Sequence, residues 1–156
     1  MAAALPWDRI EAQAIIDRLR HQPGATLPIL HALQERFGYV DRDAVPLIAE
    51  AVNLSQAEIH GVISFYHDFR STPAGRHVIK LCRAEACQAM GCRALEAHAR
   101  DRLGIGFGET TPDRRFTLDG VYCLGNCALG PAALIDGALY GRLDTARFDA
   151  LVGAAP

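Results

Sequence analysis

The sequence predicts an α+β fold in two parts: a small N-terminal helical bundle over residues 1–73, followed by a small α/β domain of about four strands over residues 74–156. Three observations carry this expectation. Apolar residues recur at helical spacing, with capping signals, as far as about Thr72. After Arg76 the pattern changes to short apolar runs of strand type, and two pairs of cysteines each follow such a run. A chain of 156 residues has room for one or two compact units, and with 50% hydrophobic and 22% charged residues it lies far from the composition of a disordered segment.

In the first part, Asp8 with Glu11 three residues on reads as a capping box that opens a helix. Ile10, Ile15, Ile16 and Leu19 supply its apolar side, and Pro23-Gly24 ends it. A second helix is expected near Leu27 to Phe37, with Gly38 as its stop, and a short third over Asp43 to Val52. Ser55 with Glu58 forms another capping box, opening a fourth helix through Ile59, Val62, Ile63 and Tyr66. The boundary between the parts is expected near Ser71 to Gly75.

In the second part, His77 to Leu81 reads as a strand running directly into Cys82, and Gln88 to Leu103 as a helix with Leu95, Ala99 and Leu103 on one side. Phe116 to Tyr122 reads as a second strand entering Cys123. Ala132 to Asp136 and Ala138 to Leu143 flank Asp136-Gly137, and an Asp-Gly pair between strand-like runs signals a hairpin. Asp144 is placed to cap a closing helix through Phe148 and Leu151.

The four cysteines read C-x4-C (Cys82, Cys87) and, after a gap of 35 residues, C-x3-C (Cys123, Cys127). In an open sheet the carboxyl ends of neighbouring strands share an edge, so two such loops bring four sulfurs around one centre. Four thiolates suit a [2Fe–2S] cluster, and they also suit structural zinc. The loose spacings favour the two-iron core over the tight C-x2-C knuckle common at zinc. A helix starting near Gln88 would aim its N-terminal N–H groups at the first loop, and Arg83 adds a cation there. Gly125 and Gly130 would let backbone N–H groups approach the sulfurs. Cys92, the fifth cysteine, reads as a small buried hydrophobe and is left out of the site.

At these residues the chain resembles the thioredoxin-like [2Fe–2S] ferredoxins of the NADH dehydrogenase 24 kDa subunit family. The likeness runs through GVISFYHDF (Gly61 to Phe69), C-x4-C, FTL (Phe116 to Leu118) and CLGNCALGP (Cys123 to Pro131). CRAEACQAMG (Cys82 to Gly91) looks most like the gamma subunit of soluble, molybdenum-containing, NAD-dependent formate dehydrogenases. The resemblance implies a thioredoxin-like domain carrying one [2Fe–2S] cluster on Cys82, Cys87, Cys123 and Cys127. It also implies a non-catalytic electron-transfer subunit beside an FMN- and NAD-binding iron–sulfur subunit, with a molybdenum-containing catalytic subunit in the wider complex. One departure is visible: Asp113-Arg114-Arg115 stands where the family commonly has Asp-Gly before its F-T strand.

Other signals point away from alternative functions. A net charge of −2 gives no footprint for nucleic acid, and no membrane contact by this chain is expected. Met1 to Trp7 is apolar without a basic flank, so it does not read as a secretory signal, and a cytoplasmic location follows. Gly104, Gly106 and Gly108 follow a helix and lack the dinucleotide fingerprint, so NAD binding on this chain is not expected. A thiol-disulfide oxidoreductase would need a C-x2-C pair, which is missing. His60 and His67 are expected on one helix face, as packing or surface residues. Phe65, Tyr66 and Phe69 read either as a docking face or as bundle core.

Overall fold

The fold is described from a computed structural model over residues 6–155, so most of the Met1 to Trp7 stretch lies outside the described residues. The chain divides into two compact units, one up to Pro73 and one from Ala74. Among the described residues, no helix is long and apolar enough to cross a membrane.

The N-terminal unit holds α1 (Arg9–Leu19), α2 (Thr26–Phe37), α3 (Ala44–Val52) and α4 (Gln56–Phe65). Asp8 caps α1 by accepting from the N–H groups of Ile10 and Glu11. Glu11 does not close the expected box; its carboxylate instead pairs with Arg36 Nε at 2.5 Å and ties α1 to α2. The Ser55–Glu58 box at α4 is complete, with the Ser55 N–H donating to Glu58 Oε2 at 2.8 Å and the Glu58 N–H to Ser55 Oγ at 3.2 Å. Gly38 ends α2 in the left-handed region at φ +80°.

Ile16, Ile29, Leu30, Leu33, Phe37, Ile48 and Ile59 form the fully buried centre of this unit. The Gln34 amide straps the segment after α4 to α2, donating to Asp68 O at 2.7 Å and accepting from Arg70 N at 2.7 Å. Phe69 consequently joins the core, while Phe65 is 73% exposed and Tyr66 half-exposed. His67 lies beyond the end of α4, so it shares no helix face with His60.

The second unit runs β1 (His77–Cys82), α5 (Glu85–Ala89), α6 (Cys92–Leu103), β2 (Glu109–Thr110), β3 (Phe116–Val121), β4 (Ala133–Ile135), β5 (Ala138–Tyr140) and α7 (Thr145–Ala154). The sheet order is β2-β3-β1-β4-β5; β1 and β3 are parallel, and the other pairs are antiparallel. Ile79 and Leu81 point to one face of β1 and pack with Leu118, Leu95, Ala99, Phe148 and Val152 in the core of this unit. Asp136 (φ +50°) and Gly137 (φ +85°) make the two-residue hairpin turn, both in the left-handed region that a type I′ turn requires. The Asp136 carboxylate anchors that turn to β1 through Val78 N at 2.9 Å and His77 Nδ1 at 2.7 Å.

Two differences from the sequence reading have local causes. A fifth strand exists because the two residues of β2 pair with Thr117 and Leu118, helped by a 2.7 Å contact between the Thr110 and Thr117 hydroxyls. Two residues leave no periodicity to detect. The single helix expected over Gln88 to Leu103 is two, because Gly91 at φ +87° turns the chain between α5 and α6. Arg114 takes φ +56° in the turn before β3, where glycine would be unstrained, and Asp113 Oδ1 steadies it by accepting from Arg115 N at 3.0 Å.

Phe148→Ala empties a fully buried position between the sheet and the helices. It is expected to destabilise the second unit by about 3–5 kcal/mol, read from its urea transition. Ser55→Ala removes the α4 cap and is expected to cost the first unit about 1 kcal/mol. The Ser55 N–H and hydroxyl hold the Glu58 carboxyl below its ordinary range. Its stabilising effect is therefore complete above the ordinary carboxylate range and lost as acid carries the group through its lowered value, a loss the Ser55→Ala protein, which keeps the backbone N–H but not the hydroxyl, should show in reduced size in acid titration.

Candidate metal centre

Parallel pairing sets the site. Cys82 ends β1 in register with Val121 of β3, so Cys82 and Cys123, two residues beyond Val121, leave the sheet at the same edge. The ladder continues past the strands, with Arg83 N donating to Val121 O at 2.7 Å and Cys82 N to Ala132 O at 2.9 Å. Cys87 lies in α5, which begins at Glu85, inside the loop rather than after it as expected. Cys127 opens a 3-10 turn, Cys127–Leu129.

The structure brings the four predicted thiols together as two pairs. Cys123 Sγ and Cys127 Sγ are 3.6 Å apart and exposed. Two thiolates on one tetrahedral metal, with metal–sulfur bonds of ~2.3 Å, are separated by about 3.7 Å, so this pair already stands at ligand spacing. Cys82 and Cys87 are buried and within hydrogen-bonding reach of each other. Among the described residues, no three or more His, Cys, Asp or Glu side chains gather where one metal ion could be held.

Backbone N–H groups converge on the sulfurs. Burial pushes the Cys82 thiol up, but the N–H groups of Ala84, Cys123 and Leu124 and the Cys87 thiol outweigh it and bring Cys82 below the ordinary thiol range. Gly125 N reaches Cys123 Sγ at 3.4 Å, from a glycine at φ +73°. Burial and the neighbouring Cys82 push Cys87 up against the opposing Ala132 N–H, and Cys123 pushes Cys127 up. As thiolates these groups would repel one another, and cationic iron held by them would relieve that repulsion. Paired thiols, donor groups for anionic sulfur and mutual repulsion without metal together fit a two-iron core.

The loops are held from outside the cysteines. Cys123 sits at φ +81°, a conformation costing a residue with a Cβ about 1–2 kcal/mol, and the surrounding turn maintains it. A Cβ on Gly130 would lie 3.4 Å from Cys87 Sγ, and one on Gly141 would meet Asn126 Nδ2 at 2.7 Å and Leu129 O at 2.8 Å. Gly141 thus lets the end of β5 close against the Cys127 turn, where Arg142 N donates to Leu129 O at 2.6 Å. Sequence reasoning passed over Gly141, since nothing near it marks a close approach.

Arg83 differs from its expected role as a cation aimed at the thiols. Its guanidinium lies over the Phe107 ring at 4.5 Å, and Nε is 3.3 Å from Glu96 Oε2. Cys92 is fully buried and donates to Cys82 O at 3.0 Å. Burial first, then Glu96, Cys87 and Cys82, push its thiol up to about 12. Cys92 is therefore held as a protonated donor to the backbone.

Fold and site together define a small α+β protein with two cysteine pairs at one edge of its sheet. Residues 12–155 match the family described as thioredoxin-like [2Fe-2S] ferredoxin, and the chain belongs to that family. The cofactor of the family is a [2Fe–2S] cluster. The chain is 38% identical to an NADH-quinone oxidoreductase subunit of Pseudomonas aeruginosa over 117 residues, covering 75% of this chain and 70% of that protein. It is 32% identical to the NADP-reducing hydrogenase subunit HndA of Solidesulfovibrio fructosivorans over 133 residues, covering 85% of this chain and 78% of that one. The solved structure of an air-oxidized NAD+-reducing [NiFe]-hydrogenase is 34% identical and superimposes with a TM-score of 0.70, covering 88% of this chain and 23% of the hydrogenase chain. This chain therefore spans about a quarter of that longer one.

Gly141→Ala drives a methyl group into the Cys127 turn. Iron release to a chelator is expected to quicken several-fold, with about 1–3 kcal/mol lost from the second unit in denaturant titration.

Proposed function

We propose that Cys82, Cys87, Cys123 and Cys127 ligate the [2Fe–2S] cluster, and that this chain is the electron-transfer subunit of an NAD-linked oxidoreductase complex. The observation that carries the assignment is the arrival of both thiol pairs at one sheet edge under converging N–H donors. When bound, the cluster supplies one-electron storage and transfer. Cys82 and Cys87 close the buried side against water, and the N–H groups of Ala84, Leu124, Gly125 and Ala132 stabilise negative sulfur. Cys123 and Cys127 leave the other side open, so a partner's redox group approaches there.

Tyr122, 76% exposed, and the exposed Leu129 flank that open pair and suit a surface covered by a partner subunit. The partner is one that carries FMN and the NAD site: the sequence resemblance implies the flavin, and the names of the NADH- and NADP-linked relatives support the nicotinamide. This chain contributes no substrate site of its own. All five cysteines are free, which suits a reducing, cytoplasmic compartment. The wording CRAEACQAMG favours the gamma subunit of a molybdenum-containing formate dehydrogenase within this wider class.

Iron and sulfide analysis should give two irons per chain, and dithionite-reduced protein a single spin-half EPR signal. Cys82→Ser or Cys127→Ser should lose that signal. Colourless wild-type protein holding one zinc would sink the cluster assignment. The native complex should contain FMN and molybdenum and reduce NAD with formate; a complex consuming hydrogen or reducing quinone instead would remove the formate assignment and leave the electron-transfer role intact.

A further inference from the structure

One carboxylate behind the Cys82–Cys87 loop reaches residues at both ends of it. Glu96, on the second turn of α6, has a side chain only 12% exposed. Its Oε1 accepts from Gln88 Nε2 at 2.7 Å and lies 3.8 Å from the Cys92 thiol, while Oε2 faces Arg83 Nε at 3.3 Å. Gln88 follows Cys87 and Arg83 follows Cys82, so one side chain holds the neighbours of both buried thiols.

The partners are themselves fixed. Gln88 Oε1 accepts from Arg93 Nε at 3.0 Å, and the Cys92 thiol donates to Cys82 O at 3.0 Å. Arg83 stacks on Phe107, and its Cδ occupies the space that a Cβ on Gly120 would need, 2.7 Å away. Its Nε makes no hydrogen bond of good geometry, so the guanidinium is placed by stacking and by the charge of Glu96. An ion pair between a largely buried Glu96 and a part-exposed Arg83 is a weak stabiliser, because solvent screening and desolvation offset much of its attraction, and an apolar side chain would fill the space of Glu96. Its placement against this loop therefore points to a task beyond packing.

We propose that Glu96 is a positioning residue for the cluster: it holds the Cys82–Cys87 loop through Arg83 and Gln88, and it sets a negative charge behind the buried thiols. The proposal rests on the reading of Cys82 and Cys87 as ligands. Reduction adds one negative charge to the centre, which the Glu96 charge opposes and the Arg83 charge favours. Glu96→Gln removes the opposing charge, leaves Arg83 uncompensated and keeps an oxygen to accept from Gln88. Glu96→Ala removes the anchor as well.

The test uses the cluster-loaded full chain for the midpoint potential, by EPR-monitored titration, and for iron release to a chelator. Amide exchange across residues 82–92 is measured on the cluster-free chain. Glu96→Gln is expected to move the potential in the positive direction with loop exchange near that of the wild type. Glu96→Ala is expected to move it the same way and to speed both iron release and loop exchange several-fold. Arg102→Ala, on the same helix but paired with Asp149 at 3.5 Å, should match the wild type in all three. Both Glu96 variants carrying two irons with wild-type potential and release would overturn the role of Glu96 alone. Wild-type protein unable to hold two irons would overturn the ligand assignment, and this role with it.

Discussion

The site depends on the parallel pairing of β1 with β3. With Cys82 opposite Val121, both cysteine loops start from one edge, and the hydrogen bonds that extend the ladder through Arg83 and Val121 carry that alignment beyond the strands. A slip of one residue would turn Ile79 and Leu81 out of the core and carry Cys82 out of line with the second loop. The apolar face of β1 and the position of the thiols are thus set by a single register. The core beneath it, with Leu118, Leu95 and Phe148, is what makes that register costly to leave.

Around this edge the chain arranges a polar environment from backbone more than from side chains. Donors to Cys82 and Cys87 come from Ala84, Cys123, Leu124 and Ala132, residues whose side chains have no hydrogen-bonding group except Cys123. The Cys123 and Leu124 N–H groups lie in the turn after β3, where Cys123 takes φ +81°, and the Ala84 N–H lies between β1 and α5, so these three fall outside the strands. Charged side chains stand one layer back: Arg83 pairs with Glu96 and stacks on Phe107, without pointing at the thiols. Such a layering would tune an anionic centre held here, and it leaves Cys123 and Cys127 exposed.

The N-terminal unit is organised by different means. Its fully buried core is drawn from all four helices, and its polar ties, Glu11 to Arg36 and Gln34 to the backbone of Asp68 and Arg70, hold segments together end to end. The strap by Gln34 explains why Phe69 is buried while Phe65 and Tyr66, only a few residues earlier, stay at the surface. Those two aromatic rings stack edge to face with centroids 5.1 Å apart and form a surface feature of this unit.

The sequence by itself determined the helical and α/β character of the two parts, the caps at Asp8, Ser55 and Asp144, and the Asp136-Gly137 hairpin. Each is written in local chemistry: a capping oxygen a few residues from its N–H, a turn residue that tolerates positive φ, an apolar period. Tertiary structure decided the rest. The break at Gly91, the two-residue strand β2, the diversion of Glu11 to Arg36 and of Arg83 to Glu96, and the closure of Gly141 on the Cys127 turn each depend on a neighbour distant in sequence or on a backbone path. A carboxylate near an N-cap or an arginine in a loop has several partners within reach, and only packing selects which one it meets.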